Sequence, residues 1–308
     1  MLSKRIIPTI LCRGRQMVKG ARFDSWRTVG LAAQAVRIHQ MRGVDEIVLL
    51  DVAATAEGRG PDLDLVAELA EVCFMPLAVG GGVRTVDDVR ALLRSGADKV
   101  VIGTAAIELP HLIMECRERI GSQAIVASID TIDDLGQVYI RSGTMPVGGL
   151  FAKQAAQNLV FLGAGELLLT SIAREGTLKG YDLRMIRAVA TAVDIPVIAH
   201  GGAGTYQDML EAIEAGADAV AAGALFQFTD STPQGAAAYL AERGIETRIP
   251  EPMEITGDLS DPGLKELVWE EAQKHGAPPV PREVFDMLWD RRGEVSDEEI
   301  LGLIGRHQ

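Results

Sequence analysis

Ala78–Ile107 reads AVGGGVRTVDDVRALLRSGADKVVIGTAAI, and Ile198–Phe226 reads IAHGGAGTYQDMLEAIEAGADAVAAGALF. The second stretch repeats the first: Gly81 and Gly82 fall on Gly201 and Gly202, and Gly96-Ala97-Asp98 falls on Gly216-Ala217-Asp218, at a constant offset of 120 residues. Each copy carries the same signals in the same order. A short aliphatic run ends in a glycine pair, a threonine (Thr85, Thr205) stands where its hydroxyl caps a helix, an amphipathic stretch follows, glycine ends it, and a second aliphatic run begins. DEIVLLD at Asp45–Asp51 and GELLLTS at Gly165–Ser171 keep the offset, with Glu46 against Glu166. The period is far longer than the roughly 20–50 residues of a solenoid repeat, so the chain is one half doubled once.

Working outward, strands are expected near Arg5–Leu11, Glu46–Val52, Pro76–Gly80, Lys99–Ile102, Ala124–Asp130, Glu166–Ser171, Pro196–Ala199 and Ala219–Ala222. Helices are expected between and after them, at Gly30–Arg42, Asp62–Val72, Thr85–Ser95, His111–Ile120, Gly149–Leu162, Leu183–Val193, Thr205–Ala215 and Pro233–Arg243. Eight strands in strict βα alternation predict an α/β fold, a (β/α)8 TIM barrel of two half-barrels over residues 1–250. A doubly wound sheet fits less well, because no early GxGxxG opens a helix. Residues 251–308 change character: a polar linker precedes three short amphipathic segments holding Trp269 and Trp289. They read as a helical C-terminal extension packed on the barrel, with partner docking as the other reading.

Composition agrees with this outline. The 308 residues are 47% apolar with 33 glycines and only 5% aromatics, which suits many tight strand–helix junctions around an aliphatic core. The net charge of −13 argues against a nucleic-acid footprint, and 14 acidic against 6 basic side chains after Pro250 place most of it in the extension. Three cysteines without CxxC and five histidines without ligand spacing lead to no expected disulfide, metal or cofactor. No stretch approaches a membrane span and the N-terminus lacks an apolar signal core, so a cytoplasmic location is expected.

In a barrel of this kind chemistry sits at the C-terminal ends of the strands. Gly81-Gly82, Gly103-Thr104, Gly201-Gly202 and Gly223-Ala224 stand at such ends, where bare backbone N–H groups can converge on phosphate. Glycine there also simply permits a tight turn; two pairs in register across the repeat favour one phosphate site per half. Asp130 and Asp51 end apolar strands, as candidate acid–base groups or as loop anchors. At the strand starts Arg5, Glu46, Lys99 and Glu166 form a set of two cations and two anions. Ordinary rim salt bridging explains them, and so does closure of a pore.

KRIIP at Lys4–Pro8, VKG at Val18–Gly20, VGGGV at Val79–Val83, GSQAIV at Gly121–Val126, GAGELLLTSI at Gly163–Ile172, GYD at Gly180–Asp182 and GGAG at Gly201–Gly204 resemble the cyclase subunit family of imidazole glycerol phosphate synthase (HisF) over residues 1–250. The resemblance implies a lyase-type cyclase that takes ammonia from a glutaminase docked on the strand-start face and adds it to a bisphosphorylated ribulosyl intermediate. It implies that Arg5, Glu46, Lys99 and Glu166 gate the ammonia, that Asp98 and Gln123 face the glutaminase, and that Gly176 joins the phosphate-binding glycines. The family's paired acid–base aspartates fall at positions 11 and 130, and here position 11 is leucine. Ala173 and Glu175 replace aspartates, His200 replaces a small polar residue, and Gly103 stands where an asparagine is usual.

Leu11 and the text EVCFMPLA at Glu71–Ala78, which is ECFMPLA-like, resemble a paralogue subgroup that accompanies sugar amidotransferases, in which the barrel hands ammonia onward for acetamidino formation. The leading expectation is such a diverged, ammonia-handling subunit with a glutaminase and a sugar amidotransferase as partners. A genuine histidine-pathway cyclase is the alternative, with His200 or Asp51 assuming the missing proton role. A noncatalytic ammonia conduit is the third reading.

Overall fold

The computed structural model describes residues 3–132 and 136–248. The expected extension after Pro250 lies outside the described residues, as do positions 1–2 and 133–135. Eight parallel strands close a ring: β1 (Arg5–Arg13), β4 (Ile47–Asp51), β5 (Leu77–Gly80), β6 (Lys99–Ile102), β7 (Ile125–Thr131), β10 (Glu166–Ser171), β11 (Val197–His200) and β12 (Ala219–Ala222), in that order around the barrel. The pairs β7–β10 and β12–β1 complete the circle.

Two antiparallel hairpins extend the barrel strands: β2 (Gln16–Ala21) with β3 (Asp24–Leu31) after β1, and β8 (Gln137–Ile140) with β9 (Met145–Phe151) after β7. Neither hairpin is in the expected list of elements. They also shorten two expected helices. Gly30 and Leu31 close β3, so α1 runs Ala32–Met41; residues 149–151 close β9, so α6 runs Ala152–Leu162.

The remaining helices are α2 (Leu63–Ala70), α3 (Val86–Arg94), α4 (Thr104–Glu108), α5 (His111–Arg119), α7 (Leu183–Ala190), α8 (Tyr206–Glu214), α9 (Ala224–Phe228) and α10 (Pro233–Ala241). The doubling reaches individual hydrogen bonds. Thr85 and Thr205 each close a capping box, with Asp88 and Asp208, and Asp62 and Asp182 cap α2 and α7. Asp98 accepts the Leu77 N–H at 2.9 Å, and its counterpart Asp218 accepts the Val197 N–H at 3.1 Å.

Side chains alternate across each strand, so one set faces the helices and the other faces the barrel axis. Outward-facing Ile6, Ile10, Ile47, Leu77, Ile102 and Leu167 join the helices in the large core. Inward-facing Ile7, Val48, Val101, Val126, Leu168 and Ile198 pack together with alanines as a separate inner cluster. The same inward parity governs the polar residues above and below that cluster. Among the described residues no helix is long and apolar enough to cross a membrane.

Candidate active site

Three layers follow one another along the barrel axis. At the strand starts, inward parity brings Arg5, Glu46, Lys99 and Glu166 into a single ring. Arg5 Nη1 donates to Glu46 Oε2 at 2.6 Å and Nη2 donates to Glu166 Oε1; Lys99 Nζ donates to Glu46 Oε2 at 2.8 Å and to Glu166 Oε2 at 2.9 Å. Cation and anion alternate around the ring, so each charge has two opposite neighbours. Burial alone would lower the pKa of Arg5, but hydrogen bonds and charges from Glu166 and Glu46 together outweigh it and raise the value. Asp98 and Gln123 are exposed near strand starts, Asp98 with one oxygen already engaged by Leu77.

Above the ring lies the apolar inner cluster, where Ala78, Ala219 and Ala221 leave little bulk between the larger aliphatics. Above that the axis becomes polar. Asp130 accepts from Ser128 Oγ at 3.2 Å and is hydrogen-bonded to Thr170. Burial pushes its pKa from 3.8 up to about 6, which the two hydroxyl bonds only partly offset. Leu11 is buried, with Leu50 as its register partner on β4. No carboxylate stands there to share protons with Asp130.

A cavity of about 100 Å³ opens at this end, lined by Asp51, Gly81, Gly82, Gly103, Thr104, Ser128, Asp130 and Thr170 among others. The first-half glycines thus share a cavity with Asp130. Gly82 has φ +73°, and a Cβ there would stand 2.6 Å from the Arg59 carbonyl, so only glycine fits. Asp51 accepts the N–H groups of Ala53 and Ala54 and pairs with Arg59 at 2.7 Å. It anchors its loop, while still touching the cavity.

The second-half residues Gly176, Gly201, Gly202, Gly223 and Ala224 sit at or just beyond the ends of β10, β11 and β12 and do not line that cavity. Beside Gly223 stands a residue that strand-end reasoning missed. Lys19, carried in by β2, is fully buried, and its Nζ lies where a Cβ on Gly223 would stand. Burial lowers its pKa to about 8, partly opposed by the charge of Glu175. Glu175 is itself buried with its pKa raised by desolvation, and Lys19 Nζ, Glu175 Oε2 and Thr9 Oγ1 all lack hydrogen-bond partners. A lysine inside the apolar run MVKG was the available sign. Buried polar atoms are ordinarily paired, so these three are exceptions among the described residues.

His200 is buried behind Thr170, with Nδ1 at 3.2 Å from Thr170 Oγ1. Burial, then the charge of Lys19, pushes its pKa down to about 3. Burial thus favours the neutral imidazole over the imidazolium. Among the described residues no group of three or more His, Cys, Asp or Glu side chains could hold a metal ion.

Sequence comparison agrees with this geometry. A family model described as histidine biosynthesis protein matches residues 5–232. The imidazole glycerol phosphate synthase subunit HisF of Dictyoglomus thermophilum is 44% identical over 253 residues, covering 81% of this chain and all of the relative. A match of that extent makes this doubled barrel a member of the histidine biosynthesis protein family.

Proposed function

We propose that the chain is the ammonia-using barrel subunit of a glutaminase-coupled synthase of the imidazole glycerol phosphate type, diverged at its mouth so that ammonia is passed onward for amidine or acetamidino formation. The observation that carries this reading is the axial stack: an electroneutral charged ring, an apolar interior, and then a polar mouth. Ammonia released by a glutaminase on the ring side, near Asp98 and Gln123, would travel that axis. Gly81, Gly82, Gly103 and Thr104 would hold a phosphorylated ligand at the mouth, with a second anion near Gly176, Gly201, Gly202, Gly223 and Ala224.

At the mouth Asp130, poised near neutrality, accepts or returns a proton. Buried Lys19 supplies an amine of lowered basicity and a positive charge. Leu11 contributes nothing to proton transfer, and this supports the diverged reading over an orthodox cyclase. The match along the whole length of a HisF relative favours the second reading, a genuine cyclase of histidine biosynthesis. Under the third reading the barrel is a noncatalytic ammonia conduit or scaffold, with the acidic segment after Pro250 docking the downstream enzyme.

Purified protein mixed with the ribulosyl aminoimidazole intermediate and excess ammonium salt separates them. Imidazole glycerol phosphate formed at an ordinary cyclase rate overturns the diverged reading. No turnover, combined with stimulation of a co-purified glutaminase, overturns the second reading. Amidine formed only when a sugar amidotransferase is added supports onward delivery.

A further inference from the structure

Asp130, Thr170 and His200 stand in one row across three strands. Thr170 on β10 is the register partner of Asp130 on β7 and of His200 on β11. Neighbouring strands lie about 4.8 Å apart, so the row spans roughly 10 Å of the mouth. The Thr170 hydroxyl adjoins the Asp130 carboxyl on one side, where it favours the ionised form, and lies 3.2 Å from His200 Nδ1 on the other. Thr170 and His200 are both buried.

A hydroxyl has one hydrogen to give, so its two bonds cannot point independently. When Asp130 is ionised it can only accept. Thr170 then donates to it, and Nδ1 must carry the imidazole proton to donate to Thr170. When Asp130 is protonated and donates to Thr170, the hydroxyl turns to Nδ1, which must be bare, and the imidazole proton is on Nε2. Neutral histidine carries one ring proton in either arrangement.

We propose that Thr170 couples the protonation of Asp130 to the tautomer of His200, making His200 a positioning residue that extends the reach of Asp130 across the mouth. A proton bonding to Nε2 is matched by Nδ1 releasing its proton to Thr170 Oγ1 and Thr170 releasing its own to the Asp130 carboxylate. One proton enters and one arrives, and no other bond changes. Lys19, itself beside Glu175, is the charged group near His200, while Ser128 and Thr170 stand beside Asp130, with Asp51 on the same cavity wall. The proposal rests on the reading of Asp130 as the acid–base group.

Two-bond 1H–15N spectra of the full chain with labelled histidine report the tautomer, and His200→Asn identifies the signal. His200 should hold its proton on Nδ1 at pH 7.5 and convert to the Nε2 form as pH falls through about 6, without becoming imidazolium. Thr170→Val should abolish the conversion and Thr170→Ser should restore it. Should Thr170→Val not fold, Asp130→Asn serves instead and should leave a tautomer that no longer changes with pH. An Nε2 proton at every pH, an imidazolium signal near pH 6.5, or a conversion that survives both Thr170→Val and Asp130→Asn overturns the coupling. The spectra need no substrate, so a failed cyclase or ammonia-transfer assay leaves this result standing on its own.

Discussion

Asp130→Asn should make the protein more stable at neutral pH while removing its proton chemistry. Burial raises the Asp130 pKa from 3.8 to about 6. A carboxyl whose folded value lies above its unfolded value binds more protons in the folded state, so stability falls as pH climbs from about 4 to about 6 and then levels off. The shift of about 2 pKa units sets an upper bound of about 3 kcal/mol on the cost of ionised Asp130 at pH 7.5. Asp130 is only half-buried and borders the open mouth, so solvent reduces that to roughly 1–2 kcal/mol.

Asparagine keeps the shape and can still accept from Ser128 and Thr170, but it has no charge to desolvate. At about 2–4 °C per kcal/mol for a domain of this size, the melting temperature should rise by about 2–8 °C at pH 7.5. Near pH 4 the two proteins should melt together. Circular-dichroism melts of both chains at half-unit pH steps give the difference curve. A gain that does not vary with pH, or a loss at pH 7.5, refutes the idea that burial of Asp130 stores free energy at the mouth.

Other perturbations test the remaining layers. Arg5→Met leaves Glu46 and Glu166 buried with Lys99 alone between them; breaking such a pair costs about 3–5 kcal/mol when dry, and about 2–3 kcal/mol here because Arg5 is partly exposed, read as a lowered denaturation midpoint. Gly223→Ala drives a methyl into Lys19 Nζ and should lower the melting temperature, whereas Gly223→Ala in a Lys19→Met background should cost less. Leu11→Asp should raise any residual cyclase rate at least tenfold, a part of the roughly 10²–10⁴-fold that proton transfer supplies, and an unchanged rate in the ammonium-dependent assay counts against a proton role for that position. Thr85→Ala and Thr205→Ala, equivalent caps in the two halves, should each cost about 1 kcal/mol by urea titration.

The barrel was legible because its code is written twice. Lys99–Ile102 and Ala219–Ala222 are strands over the expected residues, since a glycine turn precedes each aliphatic run and another glycine follows it. The hairpins were not legible. Asp24–Leu31 is largely exposed, so no apolar alternation marks it, and Met145–Phe151 holds a proline and two glycines that suppress a strand signal. The charged ring was readable because strand-start positions of one parity must converge on the axis. Lys19 was not, because it reaches the axis from a hairpin instead of a barrel strand. The second-half glycines were placed correctly at strand ends, but their contact with Lys19 and with neighbouring carbonyls depends on loops whose paths no local pattern specifies.

The four-residue ring at the barrel base carries two positive and two negative charges in alternation, so as an array it is a quadrupole whose field dies away within a few ångströms. It neither attracts nor repels ions from a distance, and dissolved salt has little to screen. Under the proposed route along the barrel axis its discrimination would be local: a small uncharged molecule would meet no net field, whereas an ion would have to displace one of four satisfied pairs before entering the aliphatic interior beyond. Such a base would sort molecules by whether they carry a charge, largely independently of its sign.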